Sequence, residues 1–229
     1  GGSWQYKGVI AGKIAGIKVL WHLNDTSMPK PFRFLFSLFS RYADGFVYAS
    51  ERSKAYYSHL VKSEVPNFVV PAPVDTKHFS PKKVSQSDNK SYKREPNEII
   101  IGTIANINPV KGLEDVIRVS KALEARNLTP KFVIVGKIFP SQEKYFKRLT
   151  KMCSSLSVEN VVFAGSASDI KSILNSFDIY LCCSIAESSP ISVWEAMSMR
   201  KPIVSTSVGD VPIYVENHIN GFVVDVGDI

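Results

Sequence analysis

The feature that most constrains this chain lies in its second half, where short apolar segments recur at intervals. "IIIGTIA", "KFVIVG", "NVVFAG", "DIYLCC", "PIVST" and "GFVV" follow one another between residues 99 and 224. Each is bounded by Gly, Asn, Asp, Ser or Pro, the residues that end strands and open turns. Helical stretches separate them at residues 113–125, 142–156, 169–176, 191–199 and, shorter, 211–216. Strands apolar on every residue bury both faces. The pattern therefore predicts an α/β fold with a parallel sheet flanked by helices.

The first 80 residues repeat the theme at smaller scale. "IKVLWHL" (17–23), "GFVYAS" (45–50) and "NFVV" (67–70) read as strands, with "FRFLFSLFSRYA" and "ERSKAYYSHLVK" as helices between them. This is half of an α/β layer. "KKVSQSDNKSYKREPNE" then breaks the alternation, polar and charged with hardly an aliphatic residue. It reads as an exposed linker, or else as a long surface loop within one domain. The resulting division is 1–80, a linker over 81–98, and a second Rossmann-like domain over 99–229.

Bulk properties remove several classes. With 229 residues of which 45% are hydrophobic, the chain can build a large core. No apolar run is long enough to cross a bilayer. The net charge of +7 is spread along the sequence without a nucleic-acid-binding signature, so no nucleic-acid partner is expected. Cys153, Cys182 and Cys183 have no metal-ligand spacing and read as reduced core thiols of a cytoplasmic protein. No metal site is expected. The opening "GGSW" reads as the middle of a helix, without a signal-peptide pattern, and the chain is expected to be part of a longer protein.

In an open parallel sheet, ligands bind beyond the carboxyl ends of the strands. Two such loops carry chemistry. In "GTIANINPVKGLEDVI", Lys111-Gly112 precedes a helix start, where an ammonium and free helix amides act together on an anion. Alone, Lys111 reads more readily as a solvated surface lysine, since the G-x-x-x-x-G-K-[ST] spacing is absent. In "AESSPISVWEAMSM", Ser189 reads as the helix N-cap and Pro190 as the first helical residue. Glu187 lies just ahead and Glu195 within the helix. They are either solvated charges or acceptors for a ligand rich in hydroxyls. An anionic group on the helix amides, flanked by carboxylates that accept hydroxyl hydrogen bonds, describes a nucleotide sugar.

These stretches resemble the retaining GT-B glycosyltransferases of family 4, the group 1 glycosyl transferases. "AESSPISVWEAMSMRKPIVST" followed by "VGDVPIYVENHINGFVV" is similar to that family's E-x7-E signature and the segments after it. "NINPVKGLEDVI" resembles its G-R-L-x-x-x-K-G segment. The match runs through residues 99–226, and more loosely back to Trp4. The resemblance implies a GT-B fold of two Rossmann-like domains, the N-terminal one incomplete here.

It also implies roles. Glu195 would accept from ribose hydroxyls, and Glu187 would lie by the sugar ring. The backbone of Ser188, Ser189, Pro190, Ile191 and Ser192 would face sugar or diphosphate, Pro190 without an N–H to give. Lys111 would neutralise the diphosphate, so that neither metal nor cofactor is needed. Gly136 would lie near the base. Asn106 stands where the family has an arginine, bringing hydrogen bonds without charge. Gly209-Asp210 replaces a Gly-Gly pair, Ile213 or Tyr214 the acid soon after it, and "VGKIFP" the common G-x-G-P.

The same resemblance gives the front segment to the acceptor-side domain. "VLWHLND" stands where the family often has a His at a strand end, which makes His22 a candidate beside the donor sugar; otherwise it is a packed or exposed strand residue. Asp75 and Phe79 in "VVPAPVDTKHFSP" are expected to be structural. "KPFRFLFSLFSRY" combines four Phe with basic residues. It reads as a helix packed on the sheet, or as one lying in a membrane interface.

The expected activity is transfer of a hexose-type sugar from a nucleoside-diphosphate sugar to an acceptor hydroxyl, on a glycan, polysaccharide or lipid-linked saccharide. The expected location is cytoplasmic, with peripheral contact at the inner face of the membrane. A non-catalytic nucleotide-sugar-binding subunit and a GT-B sugar-nucleotide epimerase are the alternatives. A nicotinamide dehydrogenase is disfavoured, because no G-x-G-x-x-G follows a strand.

Overall fold

The computed structural model describes residues 2–26, 28–61, 64–81 and 92–229. The chain packs as two units. One comprises Gly1–Pro73 with Ala186–Pro190; the other comprises Val74–Ile185 with Ile191–Ile229. The linker expected over 81–98 falls mostly on residues 82–91, outside the described residues.

The first unit holds helix α1 (Tyr6–Ile14), strand β1 (Leu20–Leu23), α2 (Lys30–Ser40), β2 (Gly45–Tyr48), α3 (Glu51–Tyr57) and β3 (Asn67–Val69). The strands form a parallel sheet in the order β1-β2-β3. The alternating burial of β1 sends Trp21 and Leu23 into a core with Phe36, Phe46, Tyr48 and Tyr57, and leaves Leu20 and His22 exposed. Period-two side-chain direction accounts for this split. The opening is not mid-helix: Gly2 has φ +100°, a turn follows, and the helix starts at Tyr6. Gly2 N–H donates to the His22 carbonyl, and the Trp21 indole donates to the Gly2 carbonyl, which ties this segment to β1 instead. α3 ends at Tyr57, short of the expected 51–62, and is opened by a capping box in which Ser50 and Ser53 satisfy each other's amides.

The second unit runs β4 (Ile100–Ile104), α4 (Leu113–Glu124), β5 (Lys131–Val135), α5 (Glu143–Ser155), β6 (Val161–Gly165), α6 (Ile170–Ser176), β7 (Ile179–Cys182), α7 (Ile191–Ser198), β8 (Ile203–Thr206), α8 (Val211–Tyr214) and β9 (Gly221–Val224). All strand pairs are parallel, in the order β6-β5-β4-β7-β8-β9. Counted within the unit, this is the doubly wound 3-2-1-4-5-6 arrangement, and the strand order reverses between β4 and β7.

In β5 the expectation of a strand buried on both faces is met residue by residue, whereas β6 and β9, at the two ends of the sheet, are only half-buried and Phe222 is exposed. Phe132 and Ile134 of β5 pack into one core with Ile117, Leu149 and Leu181. Val133 and Val135 pack into the opposite core with Ile100, Leu174, Phe177 and Tyr180. α4 turns Leu113, Val116, Ile117 and Ser120 inward at helical spacing. The three cysteines are free, Cys182 and Cys183 buried and Cys153 half-buried. Burial pushes the Cys183 thiol well up from its ordinary value, so it stays protonated.

Candidate functional site

The carboxyl ends of β4, β5 and β6 open into a cavity of about 250 Å³. Its wall contains Ala105 and Asn106 after β4, Gly136 and Lys137 after β5, Ser166 and Ala167 after β6, and Lys111. Two lysines and no acid line it, so it is built for an anion.

Lys111 ends a short 3₁₀ turn (Pro109–Lys111) whose cap is Asn108, its side chain accepting from Val110 N–H at 3.0 Å. Gly112 follows at φ +60°, ψ +35°, the left-handed conformation, and α4 begins at Leu113. Here the glycine is required, because a side chain would strain the backbone angle and would also strike the chain leaving β7. A Cβ on Gly112 would stand 2.0 Å from the Cys183 carbonyl oxygen. The Ile185 amide donates to the Val110 carbonyl at 2.8 Å. The Lys111 turn is thereby clamped to the chain leaving β7, beside the point where strand order reverses.

Gly136 is fixed by a similar approach. A Cβ there would stand 2.0 Å from the Ala105 carbonyl oxygen. The Asn106 side-chain oxygen accepts from the Lys137 amide at 3.1 Å, and the Ile107 amide donates to the Lys137 carbonyl at 3.0 Å. Asn106 thus joins the β4 and β5 loops into one wall. Lys137 holds its ammonium 5.1 Å from the centre of the Phe139 ring. Sequence reading named Gly136 and missed Lys137. The register Ile104↔Val135 carries the signal, since two equal steps beyond it set Asn106 opposite Lys137.

Asn106, Lys111 and Gly136 therefore meet in one cavity. Ile191, Ser192 and Glu195 lie on α7 of the same unit, outside that cavity's wall. α7 begins at Ile191, where the 191–199 stretch predicts, so Pro190 precedes the helix instead of being its first residue. Glu195 is half-buried. Burial pushes its carboxyl up from the ordinary value, and His78 pulls it partly back.

Glu187, Ser188, Ser189 and Pro190 pack with the first unit. Within that unit the Ser188 and Ser50 hydroxyls are 3.0 Å apart, the Thr26 hydroxyl donates to the Glu187 carbonyl at 3.4 Å, and the Ala72 amide donates to the Ser189 hydroxyl at 3.2 Å. His22, also in the first unit, is exposed near the end of β1. Nearby, Asp25 accepts from Ser3 N–H at 2.9 Å and from the Tyr57 hydroxyl. Among the described residues no cluster of His, Cys, Asp or Glu has the makings of a metal site.

The sequence model of the glycosyl transferases group 1 family matches residues 84–229. The chain belongs to this family. As a group 1 glycosyltransferase it is 26% identical over 140 residues to N-acetyl-alpha-D-glucosaminyl L-malate synthase of Bacillus anthracis, covering 61% of this chain and 35% of that one. It is 26% identical over 167 residues to the UDP-Gal:alpha-D-GlcNAc-diphosphoundecaprenol alpha-1,3-galactosyltransferase of Escherichia coli, covering 70% and 42%. The chain thus spans 35–42% of the length of these curated relatives. Among solved structures, Anabaena Alr3699/HepE in complex with UDP and glucose superposes with a TM-score of 0.83 at 22% identity, covering 96% of this chain and 61% of that one. Sucrose-phosphate synthase of Thermosynechococcus elongatus gives 0.81 at 17%, covering 97% and 59%. These likenesses show the fold: α/β of the GT-B type, with parallel sheets flanked by helices.

Proposed function

We propose that this glycosyltransferase chain takes a hexose-type sugar from a nucleoside-diphosphate sugar and passes it to an acceptor hydroxyl with retained anomeric configuration. The acceptor is a glycan, a polysaccharide or a lipid-linked saccharide. The observation that carries the proposal is the cavity at the carboxyl ends of β4–β6, where Lys111 and Lys137 stand with Asn106 and Gly136 and no carboxylate opposes them.

On this reading Lys111 and Lys137 hold the diphosphate, and Glu195 accepts from the ribose hydroxyls. Glu187, the backbone of Ser188–Ser192 and His22 serve the sugar. The acceptor oxygen forms a bond to the anomeric carbon as that carbon's bond to phosphate oxygen breaks, and the departing diphosphate takes the acceptor's proton. Lys111 stabilises the negative charge that grows on the leaving group, the work a divalent cation would otherwise do. No cofactor beyond the donor is required, and the reaction is placed in the cytoplasm. The UDP named with HepE, and the UDP-Gal named for the Escherichia coli relative, make UDP the first nucleotide to test.

Binding without turnover is a second reading. Asn106 favours it, because its side-chain oxygen is engaged by the Lys137 amide and it brings no charge of its own.

Calorimetry with UDP, GDP and ADP tests the site. One nucleotide should bind, and Lys111→Ala and Glu195→Ala should each weaken it by about tenfold or more. A folded chain that binds none of them, or binds one with both variants unaffected, overturns the site. Release of free nucleotide from the matching sugar donor in the presence of saccharide acceptors then separates transfer from binding alone.

A further inference from the structure

Three consecutive residues, Glu187, Ser188 and Ser189, are each held from a different place in the first unit. The Thr26 hydroxyl donates to the Glu187 carbonyl at 3.4 Å. The Ser50 and Ser188 hydroxyls are 3.0 Å apart. The Ala72 amide donates to the Ser189 hydroxyl at 3.2 Å. Thr26, Ser50 and Ala72 follow β1, β2 and β3 by two or three residues, all at the carboxyl ends of these parallel strands. The strands lie side by side in the order β1-β2-β3. The loop therefore crosses the end of the sheet in step with it, one residue to one strand.

The middle contact is the most constrained. The partners on either side of it are half-buried, whereas Ser50 is fully buried and Ser188 is 8% exposed. Two hydroxyls shut off from solvent have no water to take the place of a lost partner. Ser50 is itself fixed by the cap of α3. Its hydroxyl accepts from the Ser53 amide at 2.9 Å, its amide donates to the Ser53 hydroxyl at 3.1 Å, and that hydroxyl donates to the Ser50 carbonyl at 2.9 Å. The capping box thus presents the Ser50 hydroxyl to Ser188 in one place. None of the three loop contacts occupies the Glu187 carboxylate. They fix the backbone at Glu187 and just after it, and so fix where its side chain starts.

We infer that the Ser50–Ser188 hydroxyl pair is a positioning element for the donor sugar, aiming the Glu187 carboxylate without touching the sugar itself. The inference rests on the sugar role proposed for Glu187, and adds to it what holds Glu187 in place. Hydrogen bonds weaken steeply as their angle and distance drift, so a carboxylate that accepts from a sugar hydroxyl is only as effective as its support. On the same reading the diphosphate is held by Lys111 and Lys137. Loosening the pair should therefore weaken the grip on the sugar and spare the nucleotide.

Calorimetry of the full chain with UDP, and with UDP-glucose, UDP-galactose and UDP-N-acetylglucosamine, tests it. Ser188→Ala removes one hydroxyl and leaves the Ser50–Ser53 cap intact. It should weaken the tightest-bound of the three sugar nucleotides by about fivefold and leave UDP binding unchanged. Thr26→Val, which removes the longer contact to the Glu187 carbonyl, should act the same way to a smaller extent. In a Glu187→Ala background Ser188→Ala should cost nothing further, because residues that act through one another do not add. Equal losses of UDP and sugar-nucleotide affinity overturn the inference, since the pair would then support the loop's fold and not the aim of Glu187. So does sugar-nucleotide binding that Ser188→Ala leaves unchanged. A Ser188→Ala loss that persists in full without the Glu187 carboxylate overturns it as well, and assigns Ser188 to the sugar directly. Sugar-nucleotide binding that is absent, or that Glu187→Ala does not alter, fails the sugar role of Glu187 itself, and the inference falls with it.

Discussion

Gly112 and the carbonyl of Cys183 are in such close approach that one added methyl group would stand 2.0 Å from the oxygen. The contact joins the loop after β4 to the loop after β7, the two strands between which the sheet reverses its order. Gly112→Ala therefore carries two penalties. The left-handed backbone angle costs about 1–2 kcal/mol, and relieving the overlap costs about 1–3 kcal/mol more. The expected outcome is a lower melting temperature together with weaker nucleotide binding, because the loop that moves is the one bearing Lys111. A variant that melts lower and binds UDP unchanged would show that Lys111 does not depend on this clamp.

The two lysines of the cavity should not contribute equally. Lys111 is held by a capped turn and a clamped backbone. Lys137 is exposed, and its ammonium rests by the Phe139 ring. An ordered cation meets an anion at less entropic cost. Lys111→Ala should weaken UDP binding by about 10–100-fold, and Lys137→Ala by about 3–10-fold. The salt dependence of binding should shrink in both variants. Calorimetry at two ionic strengths reads this directly. Equal losses would mean that Lys137 leaves Phe139 and becomes as ordered as Lys111 in the complex.

Much of this arrangement is legible in the sequence, and the physical reason is burial. Val133 and Ile134 are adjacent and face opposite cores, so β5 is apolar on both faces from Phe132 onward, and an unbroken apolar run declares such a strand. Lys111 was legible for another reason, since a lysine before a glycine at a helix start is an anion-binding pattern in one stretch of chain. Lys137 has no such local pattern. Only the in-register pairing of β4 with β5 brings it opposite Asn106, and register is not local information. α1 shows the limit from the other side. Gly8 and Gly12 lower its helical propensity, and its start at Tyr6 is fixed by the tie between Gly2 and β1. The packing of Ala186–Pro190 with the first unit rests on partners as remote as Ser50 and Ala72, which spacing does not reveal.

Glu114 should set part of the acid stability. It opens α4 and accepts from the Tyr145 hydroxyl of α5 at 2.5 Å and from Arg148. Burial pushes its carboxyl up, but the hydrogen bonds from Tyr145 and Arg148 outweigh that and hold it below the ordinary value. A depressed carboxyl stabilises the fold above its unfolded pKa, and that stability is lost as pH falls through the folded pKa. Glu114→Gln should therefore cost about 1–2 kcal/mol at neutral pH, and the two proteins should converge in acid. Urea unfolding across that range measures both. A gap that persists in acid would assign the loss to packing rather than charge.

Glu195 has the opposite sign. It is half-buried on α7, and no described residue donates a hydrogen bond to its carboxylate. Burial raises its folded pKa above the ordinary 4.5, and the charge of His78 offsets this only in part. Between the unfolded and folded values the native chain holds more proton than the unfolded one, so stability falls as pH rises through that window. The penalty is absent below the unfolded pKa and fully present above the folded one. Ribose hydroxyls would supply hydrogen bonds that the described residues do not. Glu195→Gln should therefore raise the melting temperature at neutral pH by about 2 °C, match the wild type in acid, and bind UDP about tenfold more weakly. Saturating UDP should close the stability gap, because tenfold tighter binding stabilises the wild type by about 1.4 kcal/mol more than the variant. A Gln variant that melts lower at neutral pH would mean that the carboxylate holds the fold together and owes nothing to a ligand.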